Sequence, residues 1–197
     1  QMCIRDRGIT IPDEQSREYS YTDKNGGFYY GMTSTDDWGD WYAGWNIYAK
    51  RIFADYRLYV DGERLYRKDA RTSVYPDRLV RHYGKAVETF SLVDESKLLY
   101  VRMDSVQGKH ISLMLIGGNV VDARKDGNSI LYTAKESPEN VIRIAPVKEV
   151  GIEFADSLIT VPASADGFLI AFSTEGESRK VIEDFRQEGE KWLNTRS

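Results

Sequence analysis

From Phe28 onward, short runs of β-branched and aromatic residues alternate with turn signals, at the spacing of an antiparallel sandwich rather than of strand-helix-strand units. Residues 53–60 end on Asp61-Gly62, a dipeptide suited to the positive dihedrals of a tight hairpin, and residues 63–67 return. Runs at 71–75 and 78–83 are divided by Pro76-Asp77, and runs at 86–93 and 98–103 flank Asp94-Glu95-Ser96-Lys97. Residues 110–116 follow a turn at Gly108, and 128–133, 141–144, 150–154, 158–161 and 168–172 complete the meander. The pattern predicts a mainly β fold, an antiparallel two-sheet sandwich over residues 28–175, preceded by an N-terminal segment at 8–27.

The period changes near the end. Thr174-Glu175-Gly176-Glu177 has the Thr-x-x-Glu form of a capping box and opens a stretch without proline. Val181, Ile182, Phe185, Gly189, Trp192 and Leu193 recur at helical spacing, with Arg179, Lys180, Asp184, Arg186, Glu190 and Lys191 largely elsewhere. One long helix is predicted to end the chain, reaching roughly 25 Å. Its apolar stripe either docks on the sandwich or is shared with a further domain, in which case Phe185, Trp192 and Leu193 form the interdomain contact.

At 197 residues the chain is long enough to bury a core without staples. With 27 basic against 31 acidic side chains and no block of either sign, it carries no basic footprint for a nucleic acid. No apolar run approaches the eighteen or so residues of a membrane helix, so no membrane partner is expected. A lone cysteine, Cys3, excludes an internal disulfide framework. It sits in Gln-Met-Cys-Ile-Arg-Asp-Arg at residues 1–7, which resembles translated sequencing adapter; on that reading the natural start is missing and the cell compartment stays open.

Between Asp36 and Tyr48 lie three of the four tryptophans and three carboxylates. Such rings bury large apolar area, and the acids between them offer polar handles, a composition suited to a sugar face. The candidate carbohydrate site is Asp36, Asp37, Trp38, Asp40, Trp41, Tyr42, Trp45 and Tyr48, with Asn46 beside them. The alternative is an ordinary aromatic core between sheets. Gly39 and Gly44 argue against a helix here, costing about 1 kcal/mol each relative to alanine. As a strand, residues 41–49 put Trp41, Ala43, Trp45 and Ile47 on one face, the expected core side, and leave Trp38, Tyr42 and Tyr48 as the expected exposed rings.

These residues resemble the N-terminal β-sandwich, or supersandwich, domain of bacterial glycogen-debranching-type amylo-α-1,6-glucosidases and related glycoside hydrolases with an α/α-toroid catalytic domain. The resemblance rests on Tyr30-Gly31-Met32 before Trp38-Gly39-Asp40-Trp41-Tyr42-Ala43-Gly44-Trp45, then Lys50-Arg51-Ile52, Tyr59-Val60-Asp61-Gly62, Val74-Tyr75-Pro76-Asp77 and Glu88-Thr89-Phe90-Ser91-Leu92. It implies a linker helix at residues 176–197 leading to a toroid that carries both catalytic carboxylates, absent here. The partners it implies are an oligosaccharide or polysaccharide and that C-terminal toroid. No residue of this chain inherits a catalytic role, and no cofactor or metal is expected. His82 and His110 lack ligand-spaced partners. Asp122, Asp126, Gly127 and Asn128 match a calcium loop only in part, and a hairpin turn is predicted there.

Overall fold

The computed structural model describes residues 8–12, 15–36, 40–117, 120–135 and 137–189. It is mainly β, with antiparallel sheets and one C-terminal helix. A nine-stranded sheet runs in the order β1 (Ile9–Ile11), β8 (Arg71–Val74), β9 (Leu79–His82), β10 (Val87–Val93), β11 (Leu98–Asp104), β18 (Gly167–Ser173), β15 (Ser137–Pro146), β14 (Ser129–Ala134), β13 (Val120–Asp126). A five-stranded sheet has the order β16 (Glu153–Ala155), β17 (Leu158–Pro162), β12 (His110–Ile116), β6 (Asp55–Val60), β7 (Glu63–Arg64). The third, of four strands, is β2 (Glu18–Thr22), β3 (Gly27–Met32), β4 (Gly44–Ile47), β5 (Lys50–Phe53).

All three sheets face one core. Leu99, Val101, Phe168 and Ile170 from the nine-stranded sheet meet Leu58, Ile111 and Ile159 from the five-stranded sheet and Tyr29, Trp45 and Phe53 from the four-stranded one. The sandwich therefore has the expected two layers, but its second layer is divided. The division falls between β5 and β6, where a single residue, Ala54, carries the chain from one sheet to the next. Its N–H is taken by the Ile116 carbonyl at 3.0 Å, so the corner leaves no backbone donor unpaired.

The hairpin at Asp61-Gly62 forms as its sequence demands: both residues have positive φ, and Val60 pairs with Glu63. Within residues 8–27, read from the sequence as an N-terminal segment ahead of the sandwich, 9–11 and 18–22 supply β1 and β2, and β2 buries Tyr19 and Tyr21 in the shared core. Strand β13 was also not foreseen; it pairs with β14 across the turn Gly127-Asn128.

Helix α1 (Glu175–Glu188) covers the outer face of the nine-stranded sheet. Thr174 caps it, its hydroxyl accepting the Glu177 N–H at 3.3 Å as the capping-box reading requires. At Gly189, with φ of 55°, the backbone N–H closes back on the Phe185 carbonyl at 2.7 Å. The fourteen residues of the helix span roughly 21 Å, and residues 190–197 of the predicted stretch lie outside the described residues. Phe185 is only 3% exposed and sits 5.0 Å, ring to ring, from Tyr100. This face, at least, is covered within the chain, which removes Phe185 from the proposed interdomain surface; Trp192 and Leu193 lie outside the described residues.

Candidate functional site

The predicted aromatic cluster is split by the fold. Trp45 is fully buried, edge-on to Phe53 and Phe172, whereas Trp41 is 83% exposed. The expected core pair of Trp41 and Trp45 is thus corrected. Regular extension starts only at Gly44, and residues 41–42 form a turn before it. Asp40 makes that turn: its side chain accepts the Tyr42 N–H at 3.0 Å, and its carbonyl accepts the Ala43 N–H at 3.1 Å. Gly44 then takes φ of 96°, and a Cβ there would lie 1.9 Å from the Phe53 carbonyl oxygen. Two-residue alternation cannot be carried back across such a residue.

Two further side chains hold the turn from below. The Arg51 guanidinium donates through Nη1 to the carbonyls of Asp40 and Trp41, each at 3.2 Å. Asn46 donates to the carbonyls of Tyr42 and Gly44 at 3.0 and 3.1 Å. The register explains how both reach it. Phe28 is paired with Asn46, and Asn46 with Arg51, so the three form one row across β3, β4 and β5 on the face opposite the core.

Above this row opens a groove of about 420 Å³, lined by Phe28, Trp41, Tyr42, Asn46, Ala49, Lys50 and Arg51. Tyr42 is 59% exposed at its rim. Tyr48 is exposed too, as predicted, but it is no part of the lining; it stands against Gly26, with the Lys97 ammonium 5.2 Å from its ring. Trp38 and Asp37 lie outside the described residues.

The two described carboxylates of the cluster, Asp36 and Asp40, have other partners. Asp36 accepts the backbone N–H groups of Arg67 and Lys68 at 3.0 and 3.3 Å, and Arg64 stands 3.8 Å away. It anchors the short 3-10 turn at Arg67–Asp69 instead of facing a ligand. Asp40 serves the Tyr42 turn.

A second polar cluster was invisible as a cluster in the sequence. Arg81 and Glu88 are fully buried and paired at 3.3 Å; Arg81 also donates to the carbonyls of Thr33 and Met32, and Glu88 accepts from the phenols of Tyr56 and Tyr83. Next to them, Arg67 holds Asp55 at 2.6 and 2.7 Å and the Tyr56 carbonyl at 2.9 Å. Burial, reinforced by Glu88, keeps the Tyr56 and Tyr83 phenols well above their usual range. Burial pulls the Arg67 guanidinium down, but the adjoining Asp55 charge more than offsets it and holds Arg67 protonated. The cavity beside this network, about 10 Å³, has room for one water and not for a sugar. Its signal in the sequence was an arginine and a glutamate on the inward face of neighbouring strands; register makes them opposite, Arg81 to Glu88.

Among the described residues no group of three or more His, Cys, Asp or Glu side chains is placed to hold a metal ion. His110 lies by Asp61, which accepts its backbone N–H at 2.9 Å.

No protein-family model matches the chain, and no curated protein matches it.

Proposed function

We propose that the chain is a non-catalytic, sugar-contacting β-sandwich domain of a glycoside hydrolase, in which the outer face of the four-stranded sheet contributes an aromatic ledge to glycan binding. On this reading it supports, and helps to line, the active site of an α/α toroid that acts on α-glucan or related oligosaccharides. One observation carries the proposal: a tryptophan 83% open to water is held in a defined turn, beside a second ring, over an open groove. An indole left in solvent has no packing role, and fixing the turn from Asp40 to Tyr42 with four side-chain hydrogen bonds, one of them to the Trp41 carbonyl, removes entropy that a ligand would otherwise have to offset. The resemblance in residues 28–197 adds the enzyme class. The half-buried Asp55 and the buried Glu88 are bound to arginines beside a water-sized cavity, which fits a supporting role better than a hydrolytic one.

A second reading is favoured by the seating of the helix. Because Ile182 and Phe185 are covered by the chain's own sheet, the domain can also be a carbohydrate-binding sandwich in its own right. The coding sequence downstream of Ser197 separates the two: helical hairpins with spaced acids support the hydrolase, and a stop codon or unrelated domain supports the free-standing module.

Covering roughly 80 Å² of each ring at about 25 cal/mol per Å² gives about 2 kcal/mol per ring, hence about 4 kcal/mol for Trp41 with Tyr42 and a dissociation constant near millimolar. Titration of the intrinsic tryptophan fluorescence with maltohexaose is expected to saturate in that range, and Trp41→Ala to abolish the response. A flat titration, or one unchanged in Trp41→Ala, rejects the ledge.

A further inference from the structure

We infer that the groove selects an acidic saccharide, one whose ring carries a carboxylate, over a neutral glucan. The inference rests on the sugar-contact reading above and gives the ledge a charged ligand in place of a neutral α-glucan. Its basis is the charge of the lining. Lys50 and Arg51 contribute two cations, and none of the described residues lining the groove is acidic. Of the carboxylates nearest in sequence, the two that are described are turned to other tasks, Asp36 to the Arg67 and Lys68 backbone and Asp40 to the Tyr42 N–H.

Neither cation has a carboxylate partner among the described residues. Arg51 bonds two backbone carbonyls, which fix its position without neutralising it, and Lys50 stands exposed at the hairpin end. Register sets the geometry: Arg51 is level with Asn46 and Phe28, so its charge sits in the same row as the groove floor, while Trp41 and Tyr42 form the wall. A pyranose face laid on the wall brings a ring carboxylate toward this row, where a guanidinium and an ammonium can donate charge-assisted hydrogen bonds. The chain as a whole carries a net charge of -4, so a preference for an anion here is a property of the groove and not of general attraction.

The test compares a galacturonic acid hexamer with maltohexaose by fluorescence titration of the full chain. The uronate is expected to bind about tenfold tighter at low salt, the effect of one added charge-assisted hydrogen bond, and the gap is expected to close near 0.5 M sodium chloride. Lys50→Gln is expected to shrink the ratio of the two affinities several-fold, and Trp41→Ala to remove uronate binding. Equal binding of the two ligands, or tighter maltohexaose binding, overturns the acidic preference and leaves the ledge standing. A uronate preference that persists unchanged in Lys50→Gln or in Trp41→Ala overturns it as well, since the charge then acts elsewhere. Binding of neither ligand overturns the ledge itself.

Discussion

Trp41 and Trp45 are four residues apart and chemically identical, yet one is open to water and the other is sealed between Phe53 and Phe172. The residue that separates them is Gly44. Its φ of 96° and the approach of the Phe53 carbonyl leave no room for a side chain, so the chain turns before it and extends after it. Opposite energetic roles follow. Trp45→Ala is expected to cost about 3–5 kcal/mol by opening a large cavity, whereas Trp41→Ala is expected to change stability by no more than about 0.5 kcal/mol. Urea denaturation of the two variants checks this, and a large loss for Trp41→Ala would give that ring a structural role and weaken its assignment to a ligand.

At the scale of elements, the strands that cross the nine-stranded sheet serve two cores by simple alternation. Along β11, Leu99, Val101 and Met103 enter the sandwich while Leu98 and Tyr100 meet the helix; along β18, Phe168, Ile170 and Phe172 enter and Leu169 and Ala171 meet the helix. The hairpin of β9 and β10 departs from this apolar pattern by placing Arg81 opposite Glu88 with no exposure to water. Removing one partner strands the other charge, so Glu88→Gln and Arg81→Met are each expected to destabilise by about 3–5 kcal/mol. The double variant is expected to lose less than the sum, and a double-mutant cycle in denaturant reads the difference. An additive result would mean that the surrounding carbonyls and phenols, not the pair, satisfy these charges.

For the molecule as a whole, the attachment of the helix is a junction that responds to pH. Asp126, at the end of β13, accepts from Arg179 of the helix at 2.9 Å and from Arg143 of β15 at 3.0 Å; Arg143 reaches on to Ser178 at 3.0 Å and the Glu175 carbonyl at 3.3 Å. The bonds from Arg179 and then Arg143 hold the Asp126 carboxyl below its usual range. A carboxyl whose folded value is depressed stabilises fully above its unfolded value, near 3.9, and that contribution is lost as pH falls through the lower folded value. The wild type is therefore expected to lose stability faster than Asp126→Asn as the pH is lowered below about 4, followed by urea denaturation at stepped pH. Parallel pH profiles would show that the triad adds nothing to the seam.

Apart from β13, the sequence by itself determined the strand runs from residue 53 to 172, the Asp61-Gly62 hairpin and the capped start of the helix, because each rests on local chemistry: side-chain alternation, positive-φ turn residues and a hydroxyl three residues from the N–H it accepts. It also marked the aromatic cluster as the place to look. Tertiary structure alone decided that Trp41 faces water and Trp45 does not, that residues 9–11 and 18–22 belong to the sheets, that Phe185 is covered, and that Asp36 serves Arg67. Each of these depends on what another segment brings alongside, the carbonyl of Phe53 against Gly44 or the strand partner of β2. Local residue preferences carry no record of such neighbours, which exist only once distant parts of the chain have met.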